Sequence, residues 1–261
     1  MHSTKKQKKE SHQMTAKKAS STTSAIKREK KEKTPLLYKL TTQDMKTRVG
    51  YSNETQWEIG KTVSVSKKYS SLAQPKLCTK NVIHCYENPL IAVLRNPNDA
   101  NIQYPRLFTA SGIVVIRDKQ LKVGCKSLTL VREIPVPVFT TNQKVYFAIL
   151  CALAVYKESS FVKWAKNWIL NKDRTSAAAY AAAYAAYAAA YAAYAAAYAA
   201  GNAAAYTIYA AYAAAAADTT ATATAAYVAA ATAATACPTL DLFKLARKAL
   251  KFESSEKGVS K

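Results

Sequence analysis

Cys78, His84 and Cys85 are the residues whose types could carry chemistry within a few positions of one another, with Cys125 as a further donor. Thiolate and imidazole can together hold a zinc ion. The spacing argues against the metal. A six-residue gap is longer than the C-x₂₋₄-C step of a zinc knuckle, and adjacent His and Cys rarely ligate one ion. Buried free thiols and a core histidine account for the same residues. Two carboxylates stand beside aromatic rings, Glu58 after Trp57 and Glu87 after Tyr86, where a cleft could perturb them. The other histidines, His2 and His12, lie in a basic N-terminal stretch, and the whole chain has six glycines. Walker, Rossmann and nucleophile-elbow signatures are absent. No catalytic residue, metal or cofactor is assigned.

Charge is the other functional signal. The 261 residues include 38 basic and 16 acidic ones, a formal net charge of +22. Eleven of the basic residues fall in 1–33: Lys5, Lys6, Lys8, Lys9, Lys17, Lys18, Lys27, Arg28, Lys30, Lys31 and Lys33. Such a polar segment cannot bury enough surface to offset its ordering entropy, so a disordered tail is expected. Its lysines could neutralise phosphates without reading sequence, which predicts non-specific nucleic-acid contact. A solvating tail or a nuclear import signal would have the same composition. Five cysteines at irregular spacing, with no apolar stretch after the first ten residues, predict reduced thiols in the cytoplasm rather than secretion. The apolar run from Val145 to Tyr156 is too short to span a bilayer, and alanine is too weakly apolar to drive insertion. No membrane partner is expected.

The elements that must position these residues are set by period and punctuation. Leu36–Leu40 and Lys61–Ser66 alternate as half-buried strands do. Asn88-Pro89 predicts a short helix over LIAVLR, with Asn88 as N-cap and Pro89 at N1. Arg106–Ile116 and Leu121–Ile134 read as a long hairpin. The apolar alternation slips after Lys126-Ser127, which predicts a bulge. Pro135 and Pro137 end the sheet.

The pattern Trp57, Glu58, Gly60, Lys61, then Cys78, then His84-Cys85, then Pro89-Leu90, then Gly112 and the closing Arg132-Glu133 resembles an uncharacterised domain family of phage and prophage proteins. It spans about residues 36–134. It departs from the family at Val82-Ile83-His84, where a Gly-Phe-His is usual. The resemblance implies a phage origin, a host-cytoplasmic location and an adjoining low-complexity segment, but no activity. A small sheet with a central His-bearing strand is also similar in layout to ADP-ribosyltransferase-like domains. That would imply an enzyme binding a nucleotide through residues 36–134.

Beyond Pro137 the pattern turns helical. Thr140 and Gln143 form a capping box before a helix apolar nearly all round. FVKWAKNWIL sets Phe161, Trp164, Trp168 and Ile169 on one face, with Lys163 and Lys166 opposite. Asp173 or Thr175 caps an alanine/tyrosine helix with Tyr180, Tyr184, Tyr187, Tyr191, Tyr194 and Tyr198 in one stripe. Gly201-Asn202, Asp218 and Pro238 punctuate the remainder of the tract, before a last amphipathic helix with Leu242, Leu245, Ala246, Ala249 and Leu250 inward. The stripe fits a helix–helix seam or a self-association surface. A base-stacking ladder would need interleaved Arg or Lys, which the tract lacks. An ice-binding face rests on one Thr224/Thr235 pair.

The expected fold is α+β: a small, mostly antiparallel sheet domain (34–138), then an all-helical bundle with the Ala/Tyr tract (139–252). A tail (1–33) precedes them and a frayed end (253–261) closes the chain. The expected function is non-enzymatic, structural or interaction-mediating. The helices would self-associate and the tail would touch nucleic acid. The nucleotide-binding enzyme stands as the alternative.

Overall fold

A computed structural model describes residues 36–70, 74–181, 228–231 and 233–252. The tail lysines, the stripe from Tyr184 onward, Gly201-Asn202, Asp218, Thr224 and residues 253–261 lie outside the described residues.

The elements are β1 (Leu37–Thr41), β2 (Lys46–Thr47), β3 (Thr55–Gln56), β4 (Thr62–Ser64), α1 (Lys67–Ser70), β5 (Ile83–Cys85), α2 (Pro89–Asp99), β6 (Arg106–Asp118), β7 (Lys122–Ile134), α3 (Thr141–Val155), α4 (Ser159–Ile169) and α5 (Leu242–Leu250). The pairing of these strands is antiparallel throughout, so the α+β architecture holds.

The long β6–β7 hairpin is the spine. β1 pairs with the start of β6, while β5 and β4 take successive stretches of β7. Tyr38 of β1 and Tyr86, just after β5, exchange backbone hydrogen bonds of 2.8 and 2.9 Å. The pairing β1–β6–β7–β5 therefore returns to β1 as a ring. Closure of this kind leaves few unpaired edges.

The expected bulge is present. Gly112 faces Leu128 and Val114 faces Cys125, so Ile113 alone opposes Lys126 and Ser127. Only glycine fits at 112, because a Cβ there would meet the Ser127 carbonyl oxygen at 2.3 Å.

Alternation along the strands separates two apolar clusters. Leu37, Trp57, Cys85, Phe108, Ala110, Val123, Cys125, Leu128 and Leu130 fill the inside of the ring. Tyr86, Leu40 and Leu107 face outward and join α2, α3, α4 and α5 in the second cluster. That second cluster crosses the expected boundary at 138: Leu90, Ile91 and Leu94 of α2 share it with Phe147, Ile149, Trp164 and Leu242. Thr34–Lys261 is one compact unit, with no separate helical core among the described residues. The physical reason is that α3, apolar nearly all round, needs cover beyond α4, and α5 supplies it while also packing on α2.

The helix ends obey their capping chemistry. Asn88 accepts from the Leu90 and Ile91 amides, Thr140 and Gln143 form the reciprocal box, and Thr175 accepts from Ala178 at the start of helical residues 176–181. α2 runs further than expected, through Pro97 to Asp99. Ala229, Ala230, Ala233 and Ala234 are helical and buried, as close backbone packing requires. Among the described residues no helix is long and apolar enough to cross a membrane.

Candidate functional site

A cleft of about 450 Å³ opens where β1, β5, the β2–β3 hairpin and the end of α2 meet. That volume lies within the range of small-molecule sites. Its wall includes Lys39, Arg48, Tyr51, Trp57, Cys78, His84, Tyr86, Asp99 and Lys122.

The floor is organised around Asp99. Arg95 binds it through two bonds of 2.7 and 2.9 Å, the Tyr86 hydroxyl donates at 3.1 Å, and the Lys122 ammonium stands 3.5 Å away. Burial works to raise the Asp99 carboxyl, but the bonded Arg95 guanidinium, Lys122 and Tyr86 together hold it below its ordinary value. The Tyr86 phenol is pushed well up, chiefly by burial and then by the Asp99 charge. Asp99 is therefore a carboxylate already neutralised from beneath.

The upper wall is cationic. The Lys39 ammonium donates to the His84 carbonyl at 2.6 Å and sits 5.3 Å from the Trp57 ring centre. Enclosure lowers Lys39 to about 8, and Arg48 pushes the same way, while the Cys85 and Cys125 thiols oppose both. Arg48 donates to Asn53 at 3.0 Å and lies over the exposed ring of Tyr51. Lys122 also donates to the Cys78 sulfur at 3.1 Å. Among the described residues the lining thus carries three cations against one carboxylate.

His84 is neutral at physiological pH. Burial, reinforced by the charges of Lys39, Lys122 and Arg48, lowers it to about 4. Its Nε2 accepts from the Cys78 amide at 2.8 Å, which assigns the ring proton to Nδ1. That bond holds Cys78 in a left-handed conformation, φ 62°. Arg48 (φ 58°) and Asn101 (φ 47°) share it. Three side-chain-bearing residues of the cleft wall thus occupy a region that costs energy to hold, a pattern that clusters at ligand sites.

Of the residues singled out by pattern, Trp57, Cys78 and His84 meet in this cleft. Trp57 is buried and donates its indole N–H to Thr47 at 2.8 Å. Cys85 instead lies inside the ring, its sulfur 3.3 Å from that of Cys125, and this contact together with burial pushes its thiol well up. Glu58 is exposed, paired with Lys61 at 3.4 Å and outside the cleft wall. Glu87 likewise pairs with Arg117 at 3.0 Å, away from the cleft. Gly60 makes a turn at φ 83° and donates to Leu130, and Pro89 and Leu90 start α2. Glu133 clamps Arg106 across the hairpin, and the Arg132 carbonyl accepts from Thr109. These are structural tasks. Among the described residues no three His, Cys, Asp or Glu side chains converge as a metal site would need.

Lys39, Arg48, Asp99 and Lys122 were not legible as a site. Arg95 and Asp99 have the i,i+4 spacing of a helical ion pair, but Pro97 between them reads as a helix stop and hides it. The chain matches no family model, no curated protein and no solved structure.

Proposed function

We propose that residues 36–134 are a non-enzymatic binding module for a small anion of nucleotide size, bearing phosphate or carboxylate groups. One observation carries the reading: Lys39, Arg48 and Lys122 converge on one cleft whose single carboxylate among the described residues, Asp99, is already bonded to Arg95. Cations drawn together around a carboxylate that is already neutralised gain most from an anion that replaces lost water. Neutral His84 fits binding rather than proton transfer at neutral pH, since a catalytic base works best with a pKa near the operating pH. Glu58 stands outside the cleft wall, paired with Lys61.

Calorimetric titration with ATP, tripolyphosphate and adenosine tests the proposal. ATP and tripolyphosphate should bind and neutral adenosine should not. Arg48→Gln should weaken both anions by about tenfold, the worth of one charge-assisted contact. If neither anion binds at low ionic strength, the reading fails.

A second reading concerns the rest of the chain, and composition supports it. The eleven basic residues of 1–33 would meet nucleic acid non-specifically. An all-helical part, 139–252, would self-associate through the tyrosine stripe. A phage-type origin and a host-cytoplasmic location belong to this reading. Binding of random DNA that falls with salt and vanishes on deleting residues 2–33 is the expected result. Binding that survives the deletion counts against the tail.

A further inference from the structure

Cys78 combines features the anion reading does not use. It is an exposed thiol on the wall of a cationic cleft, while Cys85, Cys125 and Cys151 are buried. It belongs to a chain of polar contacts, with Lys122 donating to its sulfur at 3.1 Å and Asp99 holding Lys122 from the other side at 3.5 Å. Lys122 and Asp99 are both largely enclosed, with side chains 11% and 12% exposed. The ammonium is therefore fixed in place rather than sampling solvent. His84 pins the Cys78 backbone through its amide, and Lys122 meets its sulfur.

We infer that Cys78 is a modification site that forms mixed disulfides with anionic low-molecular-weight disulfides. The inference rests on the anion-binding reading, because Lys39 and Arg48 are the groups that would draw the reagent's carboxylates. In the exchange the Cys78 thiolate attacks one sulfur of the reagent. The new S–S bond forms as the old one breaks. The other half leaves as a thiolate and takes a proton from water, so Cys78 is oxidised and the leaving half is reduced to a thiol. The Lys122 ammonium stands 3.1 Å from the Cys78 sulfur, where the exchange takes place.

Cys237 supplies an internal comparison, because it is also partly exposed and is paired with a neutral hydroxyl, Thr239. Full-length protein is treated with oxidised glutathione, neutral 2-hydroxyethyl disulfide and cationic cystamine, and adducts are mapped by peptide mass spectrometry. Cys78 should react about tenfold faster with oxidised glutathione than with cystamine, the scale on which a cationic cleft enriches anions. Cys237 should show no such preference. Lys122→Gln should slow Cys78 towards all three reagents. If Cys78 reacts no faster than Cys237, or prefers no charge type, the inference is overturned. Titration of the unaltered protein with tripolyphosphate separates the two claims. Binding there with no selective Cys78 chemistry removes only the thiol site, and loss of both removes the anion reading as well.

Discussion

Gln120 and Gln143 hold opposite ends of the same helix. Gln120, in the β6–β7 turn, accepts from the Leu242 and Phe243 amides at 2.8 and 3.4 Å and donates to the Leu240 carbonyl at 3.0 Å. Gln143, in the first turn of α3, donates to the Leu250 and Phe252 carbonyls at 2.7 and 3.3 Å. Each satisfies groups that a helix terminus leaves unpaired. Together they tie the last helix to the sheet hairpin and to α3. Gln120→Ala and Gln143→Ala should each lower stability by about 1–2 kcal/mol, as loss of a cap does. Urea unfolding of both single variants and the double variant measures this. If neither midpoint moves, the clamp contributes nothing.

His84 makes stability depend on acid pH. Its folded pKa of about 4 lies below the ordinary 6.5, so the unfolded chain binds more protons between those values. The stabilising contribution is complete above about pH 6.5 and is lost as pH falls through 4. Allowing for partial exposure, the loss should be roughly 2 kcal/mol. His84→Gln keeps an acceptor for the Cys78 amide but does not titrate. Its unfolding free energy should therefore fall less than that of the unaltered protein between pH 7 and pH 4.5. Parallel curves would contradict the assignment.

Lys39 acts at the other end of the scale. Lowered to about 8, it is charged at neutral pH at a cost to the fold, and stability from this group rises as pH climbs from 8 towards 10.5. Anion affinity should move the opposite way and decline between pH 7 and 9 as the ammonium is lost. Lys39→Met should raise stability at pH 7 by about 1–2 kcal/mol, after allowing for the lost bond to His84, while weakening tripolyphosphate. Thermal unfolding and calorimetry on the same samples check both signs. A variant that loses stability and keeps its affinity would oppose both.

Asp99 joins the fold to the cleft. Asp99→Asn removes the charge that Arg95 and Lys122 share, and a largely buried guanidinium left without it should cost about 3–5 kcal/mol. Asp99→Asn with Arg95→Met should recover much of that loss. The two unfolding free energies decide whether the pair is coupled.

Gly112→Ala tests the hairpin bulge. The added Cβ would press on the Ser127 carbonyl at 2.3 Å and on Leu128 Cδ1 at 2.9 Å, and backbone must move to accept it. A loss of about 2–3 kcal/mol is expected. Gly60→Ala meets no atom within 4 Å but sits at φ 83°, so its cost, about 1 kcal/mol, should be smaller and purely conformational. Urea unfolding of the two variants compares them. A Gly112→Ala variant as stable as the unaltered protein would mean the hairpin shifts register freely.

By itself the sequence determined the local structure. Asn88-Pro89 set the start of α2, Thr140 and Gln143 that of α3, and the slip after Lys126-Ser127 marked the bulge, because capping and strand alternation depend on neighbours a few positions away. It also marked Trp57, Cys78 and His84, three members of the cleft wall, without saying what joins them. Only the tertiary structure decided the rest. Lys39, Arg48, Asp99 and Lys122 come from three elements and the β2–β3 turn, separated by up to 83 positions in the numbering, and single lysines in a chain of net charge +22 look alike until the fold encloses some of them. Strand closure through Tyr38 and Tyr86 brings Lys39 beside His84, and helix continuation past Pro97 carries Asp99 under Lys122. Enclosure removes water from a few of many similar charges, and that selection is a long-range property no local pattern encodes.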